Sequence, residues 1–175
     1  LSVPHRVMMD YVCSILDSVY GGGFRNILLF NSHGGNQGIG QVILEDFGAA
    51  HPDCRIAMVT WWTLAQDVLA ELSKTGRFGT GHACEFETSL MMAAGAIEPN
   101  VDLPSGEFFV PSHDWADSSM LHKSVGALYR SIRQISGGSG VIGQPDAATL
   151  EQGHKITTAV VRHLETVVTD LRRMG

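Results

Sequence analysis

The stretch Asn31-Ser32-His33-Gly34-Gly35-Asn36 is the feature around which the rest of the sequence is organised. It follows the apolar run 27–30 (ILLF), which predicts a short buried strand, and it precedes residues 39–47, which predict a helix. Open α/β sheets bind ligands at the carboxyl ends of their strands, where glycines leave backbone N–H groups accessible. His33 is therefore the first candidate functional residue, and the alternative is a histidine that only hydrogen-bonds within a turn.

Helices and strands alternate on both sides of this loop. The run 55–62 (RIAMVTWW) is apolar almost throughout, which is typical of a strand buried on both faces of a parallel sheet. Together with the strand before His33 and the intervening helix, it predicts a right-handed βαβ unit. The remaining predictions are a helix that Ser2 caps and the glycines at 21–23 end, helices over about 37–50, 64–72 and 147–173, and a helix at 90–94 that follows the motif 81–89. The sequence also predicts an edge strand at 108–110, a helix or less regular arm over 121–135, and a flexible loop at 136–140.

Length and composition favour an ordinary globular α/β protein. The chain has 175 residues and a formal net charge of −6, without a basic run, so nucleic acid is not an expected partner. No apolar stretch approaches the ~20 residues that a membrane span needs, and the first residues do not form a signal peptide. The three scattered cysteines predict reduced thiols and a cytoplasmic protein rather than a disulfide framework or a CxxC zinc site. We expect a single domain over residues 1–175.

A second motif, Gly81-His82-Ala83-Cys84-Glu85-Phe86-Glu87, leads into another helix. If the helix includes residue 82, His82 and Glu85 share one face and Glu87 points elsewhere. If His82 precedes the helix, Glu87 can still turn inward. A histidine beside a carboxylate suits a metal ligand or a general acid–base, and the alternative is a solvated first helical turn.

Polar and aromatic residues near His33 are further candidates for substrate contact. Asn36 can donate to a substrate or cap the following helix. Trp61 and Trp62 can wall a pocket or pack in the core.

The His-Gly-Gly sequence is also compatible with other kinds of site, namely those of serine hydrolases and of phosphate-binding proteins. His-Gly-Gly can build an esterase oxyanion hole, but the chain has no GxSxG, since Gly137-Gly138-Ser139-Gly140-Val141 fails at its last position. No P-loop is present either. A phosphate- or nucleotide-binding α/β protein that uses the backbone of Gly34 and Gly35 stays open as an alternative.

Four stretches together resemble the creatininase family, the creatinine amidohydrolase-like metal-dependent amidohydrolases. They are residues 23–36, 81–89 and 140–145, and the start of the last helix at 148–155. The resemblance implies a three-layer αβα sandwich with a mainly parallel sheet, assembled as a homohexamer. It also implies hydrolysis of C–N bonds in small cyclic amides such as creatinine or in formamides, by water that a pair of divalent ions (zinc, manganese or iron) activates.

The resemblance also implies roles for individual residues. His33 looks like a metal ligand, and His82 like the histidine that transfers a proton or stabilises the tetrahedral intermediate. Glu87 stands at the shared Glu-Thr-Ser position and is the second catalytic candidate. Trp61 or Trp62 lies near an aromatic substrate wall, and Phe78 stands where creatininase has a second substrate-contacting tryptophan. We expect Asn36 and Glu85 to contact substrate as well.

The sequence departs from the family pattern in two places. Family members carry a Glu-x-His pair and a later Asp that supply most metal ligands, and no such segment precedes His33. We therefore expect the N-terminal strands of the family fold to be missing from this chain. Creatininase also has a ligating Glu where this chain has Gly35, which argues against creatinine as the substrate. The prediction is a metal-dependent amidohydrolase, and the rival is a non-catalytic member that serves as a binding or assembly subunit.

Overall fold

The computed structural model describes residues 3–174, which form an α/β fold of two compact units. The first unit comprises Leu1–Leu64 with His163–Gly175, and the second comprises Ala65–Arg162. In chain order the elements are α1 (His5–Gly21), β1 (Asn26–Asn31), α2 (Gln37–Ala50), β2 (Arg55–Thr60), α3 (Trp61–Leu64), α4 (Gln66–Leu72), β3 (Thr80–His82), α5 (Glu85–Ala93), α6 (Ile132–Ile135), β4 (Ile142–Gly143) and α7 (Leu150–Arg173). Within this described part of the chain, no helix is long and apolar enough to cross a membrane.

The first unit contains the predicted βαβ unit. Strands β1 and β2 pair in parallel, from Asn26 opposite Arg55 to Asn31 opposite Thr60, so their carboxyl ends lie side by side. Helix α2 connects the strands and packs closely on β2: a β-carbon on Gly40 would come within 2.4 Å of the sulfur of Met58. The buried core of this unit consists of Leu16, Ile27, Ile43, Phe47 and Cys54.

A polar cluster ties the amino ends of the two strands together. Asp53, just before β2, accepts hydrogen bonds from the Tyr20 hydroxyl (2.7 Å) and from Arg25 Nε (2.9 Å). The Tyr20 hydroxyl lowers the pKa of Asp53, and the Arg25 guanidinium adds to the effect. Arg25 also lies 4.0 Å from the centroid of the Tyr20 ring, in cation–π contact.

The second unit has a short antiparallel pair, β3 with β4, and two helices in close contact. A β-carbon on Gly153 of α7 would come within 2.0 Å of the backbone oxygen of Ser89 in α5, so glycine permits this approach. The unit buries Leu69, Cys84, Phe86, Met92, Ile142 and Ile156. Burial raises the pKa of the Cys84 thiol, as expected for a reduced structural cysteine.

The structure corrects several predicted elements. Strand β2 ends at Thr60, and the two tryptophans begin the helical turn α3, because burial of Trp61 overrides its strand propensity. No strand forms at 108–110, where only the neighbouring Glu107 bridges to Ile142. Of the region 121–135 only α6 is helical, started by a capping box at Ser131. The last helix begins at Leu150, after a 3₁₀ turn over Pro145–Ala147.

Candidate active site

A buried polar cluster presents His33 at the carboxyl end of the parallel strands. Asn31 Oδ1 accepts the backbone N–H of His33 at 3.1 Å. Asn31 Nδ2 donates to Gln37 Oε1 (2.7 Å) and to Thr60 Oγ1 (3.3 Å), and Thr60 Oγ1 donates to Gln37 Oε1 (2.8 Å). These bonds link the last residues of both strands to the first turn of α2, so the His33 loop starts from a fixed backbone, while His33 itself is exposed.

The two glycines after His33 leave room for neighbouring rings. A β-carbon on Gly34 would lie 3.9 Å from Cη2 of Trp62, so the Trp62 indole lies beside the loop. A β-carbon on Gly35 would lie 3.3 Å from Cδ2 and 3.4 Å from Nε2 of His33, so the imidazole leans over the bare backbone of residue 35.

The two tryptophans have different environments. Trp61 is only 5% exposed, which supports core packing, whereas Trp62 is half-buried and supplies a wall beside the His33 loop. Their rings meet edge to face, with centroids 5.6 Å apart. Trp62 is therefore the better placed of the two for the predicted substrate contact.

Asn36 does not act as the helix cap that its sequence position suggests. It precedes α2, but its side chain makes no capping hydrogen bond, and its backbone N–H donates to the His33 carbonyl at 3.1 Å. Substrate contact by its side chain stays a prediction.

In the second unit, His82 is the last residue of β3 and lies outside helix α5. Its Nδ1 lies 2.8 Å from the carbonyl oxygen of Gly140. Because a carbonyl oxygen only accepts hydrogen bonds, Nδ1 carries the proton, and in the neutral ring Nε2 carries the basic lone pair. His82 thus has the tautomer of a general base that acts through Nε2.

Glu87 stabilises the turn that follows His82. Ala83 has a positive φ of 52°, an uncommon conformation for a residue with a side chain. Its N–H donates to Glu87 Oε2 at 2.5 Å, so a carboxylate from the first turn of α5 holds this strained peptide. Of the two alternatives for this motif, the structure has the one in which His82 precedes the helix and Glu87 turns back toward it.

Glu85 is fully buried, and groups of the chain itself surround its carboxylate. It accepts hydrogen bonds from Thr75 Oγ1 (2.6 Å), Gln152 Nε2 (2.9 Å) and Ser73 Oγ (3.1 Å), as well as from the backbone N–H groups of Lys74 and Thr75. This environment supports a structural role and offers no support for the predicted substrate contact. The helical face that Glu85 could share with His82 does not form, because His82 belongs to β3.

Phe78 lies in a 3₁₀ turn over Arg77–Gly79 and is half-buried. The Arg77 guanidinium lies 5.3 Å from its ring centroid. Arg77 is held by Asp117 (2.5 Å) and Asp114 (3.2 Å), and the hydrogen bond to Asp117 raises the pKa of Arg77 above its ordinary value. These ion pairs fix the turn that carries Phe78.

The candidate residues divide between the units. His33, Asn36, Trp61 and Trp62 belong to the first unit, and Phe78, His82, Glu85 and Glu87 belong to the second. The second unit also has an open groove of about 720 Å³ between α4 and α7, lined by Leu72, His154 and Arg162 among others.

The donor set does not fit a complete metal site. Among residues 3–174 no three His, Cys, Asp or Glu side chains come together in a group that could hold an ion. His33 is thus at most one ligand of a set that these residues do not complete.

Two residues for which the sequence predicts no role, Asn31 and Gly140, also shape the candidate site. Asn31 fixes the backbone of His33, and Gly140 supplies the carbonyl that orients His82. The signal for Asn31 was its position at the strand end, where Asx turns form. A backbone carbonyl leaves no signal of its own in a sequence.

Comparison with known proteins identifies the family. The family model described as "Creatininase: Creatinine amidohydrolase" matches residues 1–168. The chain is 26% identical to 3-dehydro-scyllo-inosose hydrolase of Thermotoga maritima, over 97% of this chain and 58% of that protein.

Solved creatininase structures have the same fold. A creatinine amidohydrolase (creatininase) structure superposes with a TM-score of 0.70 at 21% identity, over 97% of this chain and 65% of the other. A mutant creatininase of Zn-Zn type superposes with a TM-score of 0.69 at 20% identity and the same coverage. The chain thus spans about three fifths of the length of these relatives, and it belongs to the creatininase family.

Proposed function

We propose that this chain belongs to a hydrolase that cleaves a C–N amide bond in a small cyclic amide or formamide, with His82 as the proton-transfer group. The observation that carries the proposal is the hydrogen bond between His82 Nδ1 and the Gly140 carbonyl. It gives the neutral ring a basic Nε2, which general base catalysis requires. Membership of the creatininase family supports hydrolysis as the reaction class.

His82 would act twice in one turnover. Water adds to the amide carbonyl carbon and gives its proton to Nε2 of His82. The imidazolium then returns this proton to the amide nitrogen as the C–N bond breaks, which regenerates the neutral ring. Glu87 supports this cycle by holding the Ala83 peptide next to His82, and direct catalytic contact by Glu87 is part of the proposal.

The predicted binding residues keep proposed roles in this scheme. Trp62 would stack on a planar substrate beside the His33 loop, and Asn36 would hydrogen-bond to it. Phe78 would pack against the substrate, as by resemblance, and Trp61 would support Trp62. We propose His33 as one ligand of a divalent ion such as zinc, manganese or iron, as the family resemblance implies, although residues 3–174 do not by themselves complete a site for such an ion.

Exchange of His82 tests the catalytic assignment. In the intact protein, His82→Gln should lower kcat for its best amide substrate by at least about 100-fold, the usual contribution of a general acid–base. His154→Gln is the matched control, because this histidine is exposed on α7 and lies outside the candidate site. Hydrolysis of a panel of cyclic amides and formamides is followed by mass spectrometry. Equal turnover of both variants would refute the role of His82.

Metal analysis tests the role of His33. We expect the purified intact protein to hold a divalent ion and His33→Ala to lose most of it, as measured by inductively coupled plasma mass spectrometry. Metal content that His33→Ala leaves unchanged would contradict the ligand assignment. A protein without bound metal and without turnover would favour the rival, a binding or assembly subunit. A phosphate-binding protein would instead show binding that inorganic phosphate competes away.

A ring ketone is the second candidate substrate. The Thermotoga relative is named for 3-dehydro-scyllo-inosose, a carbocyclic ketone rather than an amide. Gly35 stands where creatininase has a ligating Glu, which also favours a substrate other than creatinine. Including this ketone in the substrate panel distinguishes hydrolysis of a C–N bond in an amide from hydrolysis of a C–C bond beside a ring ketone. Light scattering of the same preparation tests the proposed homohexamer, and cell fractionation tests the proposed cytoplasmic location.

A further inference from the structure

We propose that Ser136 is a positioning residue that keeps His82 in its Nδ1–H tautomer, acting through the backbone of Gly140. The inference rests on the proposed function, because it concerns the tautomer that makes His82 a base. It gives a role to the segment 136–140 (SGGSG). From the sequence, this segment is predicted to be a flexible loop, and it does not match the GxSxG motif of serine hydrolases.

Two hydrogen bonds connect Ser136 to His82. Ser136 is 1% exposed, and its hydroxyl oxygen accepts the backbone N–H of Gly140 at 2.9 Å. The carbonyl of Gly140 then accepts the Nδ1–H of His82 at 2.8 Å. The N–H and the carbonyl of Gly140 flank one α-carbon, so holding the first restricts where the second points. Ser136 thus acts on the ring without touching it.

The sequence of the turn suits this task. Gly137, Gly138 and Gly140 have positive φ angles of 60°, 97° and 84°, which glycine adopts at little cost. Ser139 Oγ donates to the Ser136 carbonyl at 2.8 Å and accepts the N–H of Val141 at 3.1 Å. The turn is therefore closed by its own side chains, and its two serines hold the peptide groups on the two sides of Gly140.

Loss of the Ser136 hydroxyl would leave the N–H of Gly140 without its buried acceptor. Gly140 would then be held from one side only, by Ser139 through the N–H of Val141, and its carbonyl would be less restricted in its direction toward His82. Without this acceptor the neutral imidazole can place its proton on Nε2 instead. A ring in that tautomer cannot accept a proton through Nε2, so the population of competent enzyme would fall.

Nitrogen NMR of the intact protein, labelled with ¹⁵N-histidine, tests the proposal without relying on activity. The His82 signals are assigned from their loss in His82→Gln. We expect the Nδ1–H tautomer in the wild type and in the control Ser14→Ala, which removes an exposed serine hydroxyl of α1, and a gain of the Nε2–H tautomer in Ser136→Ala. Gly140→Ala, which strains the same peptide at positive φ, should shift the tautomer too and serves if Ser136→Ala does not fold.

Kinetics supply the second readout. Ser136→Ala should lower kcat about tenfold, a usual cost of losing a group that orients a reacting side chain, with KM within about twofold. An Nε2–H tautomer in the wild type, or a Ser136→Ala spectrum identical to the wild type, would overturn the inference. If the tautomer shifts as expected but His82→Gln leaves turnover intact, the positioning by Ser136 stands and the proposed function fails.

Discussion

Exchange of the buried Glu85 should destabilise the protein far more than exchange of an exposed glutamate. In Glu85→Ala, the side-chain amide of Gln152 and the backbone N–H groups of Lys74 and Thr75 lose their acceptor. Glu85 is 0% exposed, so water does not replace the carboxylate without rearrangement.

The cost follows from these lost partners. A buried donor left without an acceptor costs about 1–3 kcal/mol. The hydroxyls of Ser73 and Thr75 can rotate to other acceptors, which leaves three donors and a total of roughly 3–9 kcal/mol. Glu85→Gln keeps the shape but turns one acceptor into a donor that faces an existing donor, so we expect a smaller loss of roughly 2 kcal/mol.

Urea unfolding of the intact protein measures these losses. The control is Glu151→Ala, because this side chain is 77% exposed and its ion pair with Lys155 is screened by solvent, so its loss should leave the urea midpoint unchanged within error. In a thermal scan, a loss of 3 kcal/mol corresponds to about 6–12 °C in Tm for a chain of this size. The reasoning is refuted if Glu85→Ala unfolds within about 1 kcal/mol of the wild type. A raised KM with unchanged stability would restore Glu85 as a substrate-binding residue.

Two further perturbations test the packing and the charge cluster. Gly153→Ala should cost about 3 kcal/mol, because its β-carbon would meet the Ser89 backbone oxygen at 2.0 Å; Gly38→Ala, with no atom within 4 Å, should gain up to about 1 kcal/mol in the same urea assay. In Tyr20→Phe, the pKa of Asp53 should rise toward its ordinary value of about 3.9, since its folded value is lowered chiefly by the Tyr20 hydroxyl. A carboxylate with a lowered folded pKa stabilises the fold above its ordinary pKa and loses this contribution as the pH falls. Tyr20→Phe should therefore be less stable than the wild type at neutral pH, and the difference should shrink as the pH falls through the lowered pKa of Asp53 in the folded wild type. A difference that persists at low pH would contradict the electrostatic explanation.

The parallel βαβ unit could be predicted because its signals are local. The apolar strand runs, the helical period between them and the polar loop at 31–36 all agree with the fold that forms. The secondary structure of the tryptophans at 61–62 and of the segment 108–135 was harder to predict from the sequence. Their conformation depends on burial and on side-chain caps such as Ser131, which act through partners that a single sequence does not reveal.

The candidate site was predictable by residue type and less so by role. His33 follows β1 closely, as its motif indicated, whereas the motif of His82 indicated a loop or a helix start and strand β3 was not predicted. The burial of Glu85 depends on Gln152, 67 positions later, and the tautomer of His82 depends on a carbonyl 58 positions later. Contacts at such separations leave no period or spacing in the sequence. The sequence therefore contains no sign that Glu85 is buried as a hydrogen-bond acceptor, and substrate binding was predicted for it instead.

The absence of a side chain at Gly35 has an evolutionary consequence. The imidazole of His33 occupies the space that a β-carbon would need, at 3.3 Å from Cδ2. A larger residue here would require the imidazole to move by a few tenths of an ångström, whereas glycine lets the ring lie against the backbone. Substitutions at positions 33 and 35 are therefore expected to be coupled, because the size of residue 35 influences the orientation of the His33 ring.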